Sequence, residues 1–123
     1  MTHEIFLSLS LHTQVLLNMI DFGMDPQTAL DAPRVCVGAG GTGSDGPVSV
    51  EEGVPIVVID ELRRMGHDIE GPVVGHDRAL FGRGQIIRCH PQVYHTSDSN
   101  EKGLHNVWWA GSDGRADGMA IGY

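Results

Sequence analysis

Basic side chains are scarce in this chain. Eight Lys and Arg stand against 16 Asp and Glu, giving a formal charge of −8 and an isoelectric point near 5.1. That balance argues against nucleic acid or an anionic membrane surface as partner. Long apolar runs are missing too, and none approaches the roughly 20 residues of a membrane-spanning helix. Residues 5–11 are apolar but short, without a basic leader or a small-residue cleavage site. They are not read as a signal peptide, and the compartment defaults to the cytoplasm. Cysteine is nearly absent: Cys36 and Cys89 make neither a CxxC pair nor a disulfide framework, and both are expected to be buried free thiols. Aromatic residues are only 6% of the chain, while 17 glycines raise the cost of ordering the backbone. At 123 residues the chain is one domain at most, and its stability alone is expected to be poor.

The stretch that organises the rest is residues 14–34, QVLLNMIDFGMDPQTALDAPR. Val15, Leu16, Met19, Ile20 and Phe22 recur at helical spacing and predict one buried face. Gly23 suits the left-handed residue that closes a helix. Asp25 can cap a second helix whose first residue is Pro26, where a missing N–H costs nothing. Ala29, Leu30 and Ala32 allow close packing, and Pro33 ends the run.

Before this stretch, Ile5, Leu7, Leu9 and Leu11 alternate with Phe6, Ser8, Ser10 and His12, which predicts a strand. After it, residues 34–37 predict a strand, residues 38–46 a glycine loop and residues 47–52 a second strand. The longest helix is expected over residues 56–65. Val58, Ile59, Leu62 and Met65 mark its buried side, and Arg63 and Arg64 sit where the helix dipole favours cations. Asp68–Ile69 and Val73–Val74 suit extended backbone. Residues 80–89 predict a strand and residues 107–110 its antiparallel partner, with a polar, structureless connection over 90–105. The glycine-rich tail, residues 111–123, is expected to be ordered only against other structure.

Signals of chemistry are weak. Gly38, Gly40 and Gly43 satisfy G-x-G-x-x-G, but a strand rather than a helix follows, so no dinucleotide site is expected. The seven histidines lack tight pairs or cysteine partners, so His67, His76, His90, His95 and His105 are read as exposed and no metal is assigned. Asp113 and Asp117 bracket Arg115 without calcium-loop spacing, which predicts a turn with Arg115 paired to a carboxylate. No G-x-S-x-G elbow is present, and neither cysteine has a neighbouring base. Trp108 and Trp109 face opposite sides of a strand and are read as core plus partial cover.

Four phrases in order, QVLLNMIDFGMDPQTALDAPR, VSVEEGVPIVVIDELRRMGHDIE, FGRGQII and WWAGSDGRADGMAIGY, resemble the C-terminal part of the small subunit of gamma-glutamyltransferases, also called gamma-glutamyltranspeptidases. The resemblance covers roughly residues 14–123. It divides the chain into an atypical segment, 1–13, and an incomplete gamma-glutamyltransferase-like domain, 14–123. The implied fold class is α/β (α+β), part of the αββα sandwich of N-terminal-nucleophile hydrolases, with antiparallel strands covered by helices. In that family a self-cleaved precursor exposes a threonine whose hydroxyl attacks the gamma-glutamyl amide of glutathione or related compounds. Its own free amine acts as base, and the acyl group passes to water or to an amino acid.

The family's nucleophile, its glutamyl-gripping residues and its paired oxyanion glycines all lie upstream of the helix pair. Here that place holds Phe6 to His12, without glycine. No catalytic, cofactor-binding or metal residue is therefore carried over to any position. Thr2 followed by His3 mimics the family's threonine–histidine start. It stands too close to Gln14, with no sheet layer between, and is not assigned as nucleophile. The chain is expected to supply a C-terminal scaffold and to be inactive alone, so whether it is itself an enzyme stays open. Gamma-glutamyl compounds such as glutathione are expected as substrates only of the intact relative. A large-subunit-like chain or a second copy is the implied partner. The alternative is a non-catalytic module that binds a partner through the exposed face of Val15, Leu16, Met19 and Ile20.

Overall fold

The computed structural model describes residues 3–38, 46–95 and 102–122, with the side chains of 3–8, 92–95 and 102–105 set aside. Helix α1 (His3–Ile20) leads into α2 (Pro26–Asp31), β1 (Val35–Val37), β2 (Val48–Glu51), α3 (Ile56–Arg64) and β3 (Ile69–Val73). A 3₁₀ helix (Gly75–Phe81) and the long hairpin strands β4 (Gln85–His95) and β5 (Lys102–Ser112) follow.

The first segment is helix, not the strand that its alternation predicts. Leu7, Leu11 and Val15 also fall every fourth residue, and no glycine or proline interrupts residues 1–22. The stripe of the organising helix thus runs back through them. Gly23, at φ +66°, closes α1, with the Met24 amide donating to the Asn18 carbonyl at 3.0 Å. Asp25 caps α2 as expected: its carboxylate accepts from the amides of Gln27 and Thr28 at 2.9 and 3.0 Å.

Two sheets form. One has the order β1-β2-β3, with β1 antiparallel and β3 parallel to β2. The parallel pair departs from an all-antiparallel expectation. It exists because α3 provides the crossover. Val50, Ile59 and Ile69 form its core, with Val48, Val54 and Leu62 packed around them. The other sheet is the antiparallel hairpin β4–β5, pairing Gln85 with Ser112 at one end and His95 with Lys102 at the other. It absorbs most of the connection expected to be structureless; residues 96–101 lie outside the described residues. Helix α2 lies on this hairpin and α1 lies on α2, around a second core of Val15, Ala29 and Leu30 with Met19, Met24 and Ile86.

Several burial expectations change. On α3, Ile59 is buried and Leu62 half-buried, but Val58 and Met65 are exposed. Strands of three to five residues offer the helix only a narrow seat. Cys36 is buried, and burial pushes its thiol pKa up, whereas Cys89 is exposed. The strand pleat turns Cys89 to the face opposite Ile86, away from the core. Neither tryptophan is core: Trp108 is 64% and Trp109 38% exposed. Trp109 instead stacks on His90, ring centroids 4.9 Å apart. The strand expected from residue 80 begins only at Gln85, because Phe81 ends the 3₁₀ helix as a fully buried plug.

Replacing Ile59 by Ala should cost about 2–5 kcal/mol through the void left between α3 and the sheet. Replacing the exposed Val57 by Ala should cost little. Urea titration of both variants checks the contrast, with an unchanged slope expected.

Candidate functional site

The sequence brings charge to four distant places, and the fold collects it in one. Arg34 follows α2, Glu51 ends β2, and Asp113 and Arg115 lie just beyond β5. The side chains of all four are at most 3% exposed. Arg34 Nη2 meets Asp113 Oδ2 at 2.9 Å, and Arg34 also donates to the carbonyls of Phe81 and Leu30, both at 2.8 Å. Arg115 grips Glu51 with a two-pronged contact through Nε and Nη2. Its Nη1 meets Asp113 Oδ1 at 3.0 Å and the Leu30 carbonyl at 2.6 Å. Glu51 further accepts from the Arg34 amide at 2.9 Å and from Arg78 Nε at 2.6 Å. Asp113 Oδ2 accepts from the Gly84 amide at 3.0 Å.

The network is balanced, with two arginines facing two carboxylates at its buried centre and Arg78 at its rim. Burial alone would push the carboxyl of Glu51 up, but hydrogen bonds from Arg115 and Arg78 hold it below its ordinary value of 4.5. Burial likewise raises Asp113, and the amides of Gly84 and Arg115 with both arginine side chains bring it below 3.8. Burial lowers the pKa of Arg34, helped by repulsion from Arg115, while Glu51 and Asp113 overcome burial and raise that of Arg115. Carboxylates held ionised, with their partners committed, offer no general acid near neutral pH. What the arrangement does is fix where the end of β5 lies relative to α2 and β2.

The expected pairing of Arg115 with a carboxylate holds for Asp113, while Asp117 is exposed and outside the network. Arg34 and Glu51 were not singled out from sequence. The signal was there: a glutamate closing the apolar strand that holds Val48 and Val50, and an arginine directly after a helix-ending proline. His67 and His76 are exposed as expected, His90 is half-buried against Trp109 rather than exposed, and the side chains of His95 and His105 lie outside the described residues. Among the described residues no three metal-ligating side chains gather. Thr2 and residues 39–45 of the glycine loop also lie outside them. No helix among the described residues is long and apolar enough to cross a membrane.

Beside the network runs an apolar groove of about 920 Å³ between α1 and residues 82–88. Leu16, Met19, Ile20, Ile86 and Ile87 line it. Leu16 and Ile20, predicted for the buried face, are 54% and 74% exposed there.

The fold and its neighbours define a mixed α/β domain of the N-terminal-nucleophile hydrolase class. Residues 7–123 match the Gamma-glutamyltranspeptidase family, and the chain belongs to that family. It is similar to cephalosporin acylase from Bacillus halodurans, at 34% identity and a TM-score of 0.58, over 92% of this chain and 18% of that one. It also shares its fold, at 24% identity, with the T380A mutant of Helicobacter pylori gamma-glutamyltranspeptidase, TM-score 0.52, over 88% of this chain and 48% of that one. An acivicin-inhibited gamma-glutamyltranspeptidase, described as showing critical roles for its C-terminus in autoprocessing and catalysis, is similar at 24% identity and TM-score 0.53, over 89% of this chain and 48% of that one. The chain thus spans less than half the length of each. No curated protein sequence matches it significantly.

Both buried carboxyls titrate lower folded than unfolded, so the unfolded chain binds more protons as the pH falls. Their contribution is complete above the ordinary values of 4.5 and 3.8 and is lost as pH falls through the lower folded-state values. Arg115→Met leaves Glu51 and Asp113 short of a partner in a buried site, at a cost of about 3–5 kcal/mol. The acid-unfolding midpoint, followed by circular dichroism against pH, should move upward in that variant.

Proposed function

We propose that this chain is the C-terminal scaffold of a gamma-glutamyltransferase-like enzyme. The intact protein would transfer or hydrolyse gamma-glutamyl groups of glutathione and related compounds, through a threonine nucleophile that this chain does not supply. The observation that carries the reading is the buried Arg34–Asp113–Arg115–Glu51 network within a family match over residues 7–123. It ties the last residues of the chain to the helix pair, while its own groups are too fully engaged for proton transfer. The critical roles ascribed to the C-terminus in the acivicin-inhibited relative support a part of this kind. The fragment would dock against a large-subunit-like chain. A second reading, a binding module without catalysis, is favoured by the exposure of Leu16 and Ile20.

The test uses release of chromophore from a gamma-glutamyl anilide, with and without a dipeptide acceptor. The chain alone should give no turnover, and Thr2→Ala should change nothing. A chimera in which residues 7–123 replace the matching segment of the Helicobacter pylori gamma-glutamyltranspeptidase, without its T380A mutation, should process itself and turn over the anilide. Arg115→Met in that chimera should abolish both. Turnover by the chain alone that vanishes with Thr2→Ala would overturn the reading, and a folded but inert chimera would favour the binding module.

A further inference from the structure

We draw no further inference here: the strongest candidate, the buried Arg34 side chain between α2 and the turn after β5, whose Nε has no hydrogen-bond partner among the described residues, belongs to the ionic network already described, and that nitrogen is closed to any acceptor arriving from the groove beside it.

Discussion

The structure depends on one buried ionic contact: Arg115 gripping Glu51 while Asp113 holds Arg34. Each charge would be costly in that setting alone. Together they satisfy one another and the chain ends around them. The carbonyl of Leu30, in the last turn of α2, accepts from both Arg34 and Arg115, and that of Ala32 accepts from Arg115. A helix of six residues leaves most of its terminal carbonyls without intrahelical partners, and its negative end welcomes cations. The same two guanidinium groups thus cap α2, hold the Phe81 carbonyl and fix the turn after β5. Such a network contributes less to net stability than to a single arrangement. A hydrophobic replacement of similar volume could pack as well, but it would not specify which carbonyl meets which donor.

Two glutamines extend the same logic from charges to amides. Gln14 on α1 donates to the Val35 carbonyl at 2.8 Å and accepts from the Val35 amide at 2.9 Å. Gln27 on α2 does likewise with Ser112, both at 3.0 Å. In each case a side-chain amide stands where a neighbouring strand's peptide would stand, and satisfies an edge that the sheet leaves open. The helix pair is joined to one sheet through Gln14 and to the other through Gln27. Gly111 lets the second joint close, since a Cβ there would lie 2.8 Å from the Pro26 backbone.

The helix pair, its glycine corner and its Asp25 cap were legible because each is decided by residues within a few positions of one another. So were β1, β2, α3 and the pairing of residues 107–110 with the β4 strand. The first turns of α1 were not, because Ile5, Leu7, Leu9 and Leu11 satisfy the strand period as well as the helical one. Only the seat of Val15 on Ala29 and Leu30, a tertiary fact, chooses between them. Glu51 was missed for a related reason. Its neighbours read as an ordinary strand end, and its meaning comes from Arg115, far along the chain. The exposed Trp108 shows the converse: aromatic residues in a strand suggest a core, yet a two-stranded ribbon covered on one side has only one face to bury.

Two separate small cores hold this chain together, while Leu16, Ile20, Phe22, Val57, Ile87 and Trp108 stand more than half exposed. Scattered apolar residues are normal on a protein surface, but three of these are gathered in one place. Leu16, Ile20 and Ile87 share the groove between α1 and the start of β4. In a layered sandwich, a helix buries one stripe and a sheet buries both faces only when the neighbouring layers are present. Where charge is buried, the chain supplies the partners itself, with Arg34 Nε the one buried side-chain donor left without one among the described residues; where apolar surface faces outward, it does not. Electrostatics, which must be satisfied at once inside a low-dielectric site, is closed within the chain. Hydrophobic cover, which another layer can supply later, is left to whatever lies against the groove.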